Sequence, residues 1–281
     1  MKSYQVNLAE EYEFLQGGTL DCIVTEYPFD GEVSSEWALP ALIVVPGGGY
    51  GMVSKREAFP VATAFMAKGF QTFVLTYLCA GDGVRYPEQL LEESAAVDYV
   101  KKHAKQLHIN PDEVFLVGFS AGGHLVGNLA VEHQNVSEKA GVKLDCKPTA
   151  VGLSYPVISK KNGHQGSYQN LLNGYSEEAQ EELLKTLNLD EAVSEQTPPA
   201  FLWATATDNS VPADNALRYA LALARQEILY EIHVYPEGVH GLSTCRFNVN
   251  TPLNMSDEVL RASRWVEDCA CFFHRFTKSK F

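Results

Sequence analysis

Along most of this chain, short runs of β-branched and aromatic residues alternate with helix-patterned stretches, and few architectures satisfy that alternation. The runs are ALIVVP (41–46), FQTFVLTYL (70–78), VFLVG (114–118), AVGLSYP (150–156), AFLWATAT (200–207) and LYEIHVY (229–235). A strand with one wet face alternates apolar and polar side chains, whereas consecutive apolar positions mark burial on both faces. Strands of that kind need helices on each side, so the chain reads as an α/β fold with a mostly parallel central sheet flanked by helices. At 281 residues the chain is long enough to bury such a sheet, and no repeat or low-complexity stretch interrupts it. One domain over residues 1–281 is therefore expected.

The intervening stretches carry helix signals. Residues 55–68 place Phe59, Ala62, Phe65 and Met66 at helical spacing and stop at Gly69, a natural C-terminal cap. Pro87 opens a helix with Leu90, Leu91, Ala95, Val97 and Ala104 among its apolar positions, ended by a turn at Asn110 and Pro111. Further helices are expected over 121–133, over 213–226 and, closing the chain, over 257–276. The first 36 residues are expected to add antiparallel edge strands, turning at Gly17 with Gly18 and at Asp30 with Gly31. The segment 157–196 breaks the alternation: it is polar and rich in Gly, Asn and Ser, then carries a charged helix near 176–187. It reads as a small inserted cap over the C-terminal edge of the sheet, where open α/β folds bind ligands.

Composition narrows the function. A formal net charge of −13 argues against nucleic acid or an anionic membrane as partner, since both recruit basic faces. No apolar stretch approaches the length of a membrane span, and the N-terminus lacks the basic-then-apolar pattern of a signal peptide. The six cysteines (22, 79, 146, 245, 269, 271) are scattered, mostly in apolar segments, which suits reduced, buried thiols better than a disulfide framework. Cys269 and Cys271 sit one residue apart in a helix-like segment, so their side chains diverge and a metal site there is not expected. These features point to the cytoplasm. A homo-oligomer is compatible with all of them.

Chemistry enters with Gly118-Phe119-Ser120-Ala121-Gly122, a G-x-S-x-G pattern. The pattern alone is weak; its context is not. VFLV precedes it and the helix-competent HLVGNLAVEH follows, which is the strand-to-helix turn that presents a strained serine. A serine hydroxyl is a poor nucleophile near neutral pH and needs an adjacent base. In folds with this elbow the acid and then the base follow in chain order, each after a later strand. Asp208 comes just after AFLWATAT, and His240 comes in PEGVHG just after LYEIHVY. Asp214 is the competing carboxylate, but it stands at the start of the next helix and reads as a capping or solvated group. Of the other histidines, His124 lies on the helix after Ser120 and suits a structural hydrogen bond. His164 falls in the expected cap, within reach of substrate there.

The loop Gly47-Gly48-Gly49-Tyr50-Gly51 follows the first core strand. No G-K-[ST] closes it and it is not G-x-G-x-x-G, so neither a phosphate loop nor a dinucleotide site is indicated. Side-chain-free residues instead let backbone N–H groups approach a developing negative oxygen. Gly48, Gly49 and Ala121 are the expected oxyanion donors. Tyr50 and Phe119 flank those positions and are expected to shape a substrate-binding acyl pocket.

Taken together, VVPGGGYG, REAFPVATAFMAKGF, PEQLLEESAAVDYV, VGFSAGGHL, TATDNSVPADNALRYA and PEGVHGLS resemble the α/β-hydrolase esterase/lipase superfamily. The resemblance covers about residues 40 to 245 and is nearest to the acetyl-xylan-esterase-like and hormone-sensitive-lipase-like carboxylesterases. Many lipases of that superfamily begin the glycine loop with His; here Pro46 takes that place, and the P-G-G-G-Y form with the VPADN segment is closer to the carbohydrate-esterase branch. The resemblance implies hydrolysis of short-acyl esters, acetyl groups on sugars among them, by Ser120, His240 and Asp208, with no cofactor and no metal. Two other readings stay open at this stage: a serine peptidase or amidase on the same fold, and a non-catalytic binding protein on a hydrolase scaffold.

Overall fold

The computed structural model describes residues 1–28 and 37–278. Among these, eight strands form one sheet: β1 (Lys2–Asn7), β2 (Thr19–Val24), β3 (Leu39–Val45), β4 (Gln71–Thr76), β5 (Ile109–Phe119), β6 (Ala150–Ser154), β7 (Ala200–Thr205) and β8 (Tyr230–Tyr235). Their spatial order is β1-β2-β4-β3-β5-β6-β7-β8. From β4 to β8 every neighbouring pair is parallel, and β1 and β2 add an antiparallel edge. Gly18, in the connection between β1 and β2, has φ +85°. The other expected N-terminal turn, at Asp30 and Gly31, lies outside the described residues.

The strand order reverses once in the parallel part. The chain runs from β3 outward to β4, then crosses back over β3 to β5. Connections therefore leave β3 and β5 in opposite directions, opening a crevice beyond their C-terminal ends. The glycine loop leaves β3 at that edge, and Ser120 immediately follows β5. Topology alone puts the two motifs side by side.

Period-two packing divides the core between the two faces of the sheet. Ile43, Val45, Leu116 and Leu75 face one layer, while Leu42, Val44, Phe115 and Val117 face the other. All eight are at most 0% exposed, and burying each such side chain stabilises the fold by roughly 1.5–3 kcal/mol relative to leaving it in water. Helices Glu88–Lys102 and Ala121–Glu132 cover the first layer, and helices Phe59–Met66 and Trp265–His274 cover the second.

Two boundaries differ from the sequence expectation. Asn110 and Pro111 do not end the helix; it stops at Lys102, a one-turn helix Ala104–Leu107 carries Ala104 and ends at His108 with φ 53°, and the pair lies within β5. Leu39 pairs with Ile109 but Ala41 pairs with Val114, so residues 110–113 bulge out of the ladder. Proline has no N–H to contribute there, and Asn110 Oδ1 accepts the Asp112 N–H at 3.1 Å, making a local turn inside the strand. The closing helix is two helices, Asp257–Ala262 and Trp265–His274. Between them the Ser263 hydroxyl donates to Leu260 O at 2.6 Å, an alternative partner for a helix carbonyl, and Trp265 Nε1 turns inward to Ser243 O at 3.0 Å.

Segment 157–196 holds helices Gln165–Leu171, Glu177–Leu187 and Leu189–Ala192. Cys271 is exposed and the other five cysteines are buried. No helix among the described residues is long and apolar enough to cross a membrane.

Candidate active site

Ser120 sits between β5 and helix Ala121–Glu132 with φ 53° and ψ −116°, a conformation a residue with a Cβ adopts only under constraint. Three backbone hydrogen bonds supply it. Ser120 N–H donates to Ser154 O at 3.0 Å, and Ser120 O accepts from His124 N–H at 3.0 Å and Val157 N–H at 3.1 Å. The glycine at 122 is required by close approach: a Cβ there would lie 2.3 Å from the carbonyl oxygens of both Val45 and Pro46. The elbow thus presses its helix directly against the end of β3, where the glycine loop begins.

Ser120 Oγ lies 2.8 Å from His240 Nε2, and His240 Nδ1 lies 2.6 Å from Asp208 Oδ2. The three side chains come from loops after β5, β7 and β8. With Asp208 ionised, the tautomer carrying hydrogen on Nδ1 gives the carboxylate a donor and leaves Nε2 to accept the serine proton. Asp208 is itself held: its Oδ1 accepts the N–H groups of Ser210 at 2.8 Å and Val211 at 3.0 Å. The loop bearing His240 is tied to β7 by Thr205 and Thr207, whose hydroxyls both donate to Gly238 O. Asp214 is elsewhere, accepting from Asn162 Nδ2 at 2.6 Å and Arg218 Nε at 3.3 Å.

The glycine loop turns through three consecutive left-handed residues: Gly48 at φ +129°, Gly49 at +65° and Tyr50 at +56°. Gly48 has no substitute, since a Cβ there would fall 2.0 Å from Met52 O. Gly51 N–H and Met52 N–H both donate to Gly48 O, and Ser54 N–H donates to Gly47 O. By contrast, the N–H groups of Gly48, Gly49 and Ala121 donate to no protein acceptor among the described residues. Ala121 opens its helix, so the positive end of the helix dipole adds to its N–H.

Tyr50 and Phe119 are placed otherwise than the sequence suggested. Phe119 is fully buried below the elbow, edge-on to Trp265 at 5.8 Å and tilted against Tyr155 at 5.9 Å. An elbow turns its serine outward, so the residue before it points into the core. Tyr50 is 1% exposed, and its hydroxyl meets His124 Nδ1 at 2.8 Å. His124 Nε2 reaches Leu187 O at 2.9 Å, as does the Tyr168 hydroxyl at 3.1 Å. Burial pushes the His124 imidazole down to about 4, so it stays neutral, donating to Leu187 O and accepting from Tyr50. These two aromatics brace the site from behind; neither lines it.

The cleft above Ser120 has a volume of about 430 Å³. Gly48, Gly49, His240 and Gly241 form its floor with Ser120, and Met52, Ser54, Arg56, Glu57 and Ser210 line it. The inserted segment contributes His164 and Asn170. Asn170 Nδ2 also donates to Gly49 O at 2.8 Å, so this segment braces the glycine loop as well as walling the cleft. Glu57 and Arg56 were not singled out from sequence. The available signal was a charged residue, Glu57, leading into the otherwise apolar AFPVATAF run. Among the described residues no group of three or more His, Cys, Asp or Glu side chains is arranged to hold a metal ion.

The BD-FAE family model matches residues 32–223 of this chain. Endo-1,4-beta-xylanase B of Butyrivibrio fibrisolvens is 35% identical over 207 residues, covering 72% of this chain and 32% of the xylanase. Acetylxylan esterase of Xylanibacter ruminicola is 29% identical over 235 residues, covering 81% of this chain and 45% of the esterase. The chain therefore spans between about a third and about half of the length of these two relatives. Among solved structures, the acetyl ester-xyloside bifunctional hydrolase of Caldicellulosiruptor lactoaceticus superposes with a TM-score of 0.80 at 29% identity, covering 97% of this chain and 96% of the other. By sequence match and by architecture alike, the chain belongs to the BD-FAE family and has the α/β-hydrolase fold.

Proposed function

We propose that the protein is a serine esterase that hydrolyses short-acyl esters, acetyl esters of sugars among them, through an acyl-enzyme intermediate. One observation carries this reading: two short hydrogen bonds join Ser120, His240 and Asp208 beside three backbone N–H groups that have no protein acceptor among the described residues. His240 Nε2 takes the Ser120 proton as Oγ attacks the ester carbonyl, and the imidazolium that forms is stabilised by Asp208. The N–H groups of Gly48, Gly49 and Ala121 receive the charge developing on the carbonyl oxygen, each donor typically worth about 3–4 kcal/mol of barrier. His240 returns its proton to the departing alcohol, then activates water to release the acid.

Support for a small acyl group and a hydroxyl-rich alcohol comes from the cleft walls. His164, Asn170, Ser54 and Ser210 offer hydrogen-bonding groups, and Met52 is the apolar side chain among the lining residues. A long acyl chain laid along such walls would strip water from polar groups and return no hydrogen bonds. The names of the relatives, an acetylxylan esterase and an acetyl ester-xyloside hydrolase, favour the same substrate class. The test is a kcat/KM series over p-nitrophenyl esters from acetyl to palmitoyl, with acetylated xylose and cellobiose and an aminoacyl p-nitroanilide alongside. Maximum turnover at acetyl or propionyl and activity on the sugar esters are expected. A maximum at octanoyl or beyond, or faster cleavage of the anilide, would refute the proposal.

A further inference from the structure

Glu57 is a carboxylate held almost wholly out of water, 3% exposed, yet it borders the cleft. Its oxygens are satisfied by an amide and a phenol: Oε2 accepts the Gly47 N–H at 2.9 Å, and Oε1 accepts the Tyr155 hydroxyl at 2.7 Å. A buried charge is tolerated only when hydrogen bonds replace its hydration, so both contacts are strongly enforced. The partners belong to different parts of the reacting constellation. Gly47 opens the glycine loop. Tyr155 follows β6, its hydroxyl accepts the Ser243 N–H at 2.9 Å, and its ring stands edge-on to the His240 imidazole at 5.1 Å. Ser243 lies three residues beyond His240 on the same loop. Through two side chains, Glu57 and Tyr155, the glycine loop is tied to the loop that carries His240.

We propose that Glu57 is a positioning residue for hydrolysis: it sets the spacing between the Gly48 and Gly49 N–H groups and the His240 ring across the substrate carbonyl. The inference rests on the reading of Ser120 as nucleophile. Glutamine at this position retains the length but offers one acceptor in place of two. Its carbonyl oxygen keeps the Gly47 N–H and its NH2 group turns to the Tyr155 oxygen, so the Tyr155 hydroxyl proton loses its acceptor and the bond that oriented Tyr155 is reversed. Because the misplaced groups act on the transition state, turnover should fall while ground-state binding is spared.

The test measures kcat and KM for p-nitrophenyl acetate, the rate of Ser120 labelling by a fluorophosphonate probe, and the thermal midpoint. The proteins are wild type, Glu57→Gln, Tyr155→Phe and the double variant. In Glu57→Gln, kcat should fall roughly 10- to 100-fold with KM changed less than about threefold. Tyr155→Phe should give part of that loss, and the double variant should lose less than the product of the singles, because both act along one path. Should Glu57→Gln fail to fold, Tyr155→Phe carries the test by the same fall in kcat at constant KM. Wild type that neither turns over ester nor labels at Ser120 overturns the nucleophile reading itself. Active wild type with folded variants whose kcat stays within about twofold, whose loss is all in KM, or whose effects simply multiply overturns the role of Glu57 alone.

Discussion

Replacing Asp208 by asparagine should inactivate the enzyme through the tautomer of His240, and the structure says why the amide cannot evade this. Two backbone N–H groups, of Ser210 and Val211, point at Asp208 Oδ1. An asparagine at 208 will keep its carbonyl oxygen there and so aim its NH2 group at His240 Nδ1. Turning the amide over would set the NH2 against both N–H donors in a site where residue 208 is 4% exposed. Leaving two such groups unsatisfied costs roughly 1–3 kcal/mol each, so the unflipped amide is favoured by about 2–6 kcal/mol. At roughly 1.4 kcal/mol per factor of ten, that is a bias of about 30-fold at least and above 10,000-fold at most. Facing an NH2 donor, the imidazole must present a lone pair at Nδ1 and carry its hydrogen on Nε2, where it can no longer accept the Ser120 proton. The expected loss in kcat/KM for p-nitrophenyl acetate is about four orders of magnitude. The fold is spared because the carbonyl end keeps its anchors, so the thermal midpoint should barely move. Asp214→Asn, made in parallel, should stay within about twofold of wild type, since Asp214 bonds Asn162 and Arg218 instead. A folded Asp208→Asn protein keeping more than about one per cent of activity, or an inactive Asp214→Asn, would refute the reasoning.

Three further outcomes are expected. Ser120→Ala should lose esterase activity and fluorophosphonate labelling by several orders of magnitude with an unchanged thermal midpoint, and retention of a few per cent of turnover would exclude Ser120 as nucleophile. Gly122→Ala should destabilise the fold by more than about 3 kcal/mol, seen as a drop in thermal midpoint of roughly 5–10 °C or as insoluble protein, because its methyl would sit 2.3 Å from two fixed carbonyl oxygens; a midpoint within a degree or two of wild type would contradict the close packing of elbow and β3. Glu92 is fully buried, and burial pushes its carboxyl up to about 8 although Leu78 N–H donates to it at 2.8 Å. Such an acid is neutral in the folded state while its unfolded counterpart ionises, so the stability it contributes is complete below about pH 4.5 and is lost as pH rises toward 8. Chemical denaturation of Glu92→Gln against wild type should therefore show a difference that shifts in favour of the variant across that window, by at most about 1.4 kcal/mol per pH unit; parallel curves would contradict it.

The parts of this molecule legible from sequence are those whose physical cause is local. Apolar runs such as VFLVG and AFLWATAT declare buried strands because no partly wet strand would carry them. The glycines at 47–49 and 118–122 declare positions where only hydrogen fits, which holds at Gly48 and Gly122. Asp208 and His240, which the structure joins to Ser120, could be told from Asp214 and the other histidines because each follows a strand at the C-terminal end of the parallel sheet. Of those two strands only β7 is buried; β8 is an edge strand in which Tyr235 alone is buried, because no strand among the described residues covers its outer side. Local reasoning failed where a local signal had two causes. A proline after asparagine breaks a helix or makes a bulge with equal economy, and only the register of β3 against β5 decides for the bulge. Tyr50 and Phe119 adjoin reactive positions in sequence, but adjacency in an elbow or a left-handed loop alternates direction, so both side chains turn away from the cleft.

What the sequence leaves silent is the bracing between distant segments. Glu57 meets Tyr155 across 98 positions and Asn170 meets Gly49 across 121, and no pattern within either segment announces the other. Yet these contacts decide whether the site works as one object. Ser120, His240 and Asp208 hang on three separate loops, and the proposed oxyanion donors on a fourth together with the head of a helix. Each loop is tied to its own strand, but a shift of about 1 Å between loops is enough to cost two orders of magnitude in rate. Strand ladders cannot hold that tolerance at the loop tips, beyond their last hydrogen bond. Side chains that bridge loops can: Glu57 and Tyr155 hold the glycine loop to the base, Asn170 holds it to the inserted segment, and Tyr50 with His124 holds it to the helix behind Ser120. Glu57, Tyr155, Tyr50 and His124 are buried polar groups with hydrogen-bond partners, the arrangement that is costly when broken and therefore rigid when whole, and Asn170 is half-buried. Hence substitutions at these bridges should depress turnover more than their distance from the reacting atoms suggests.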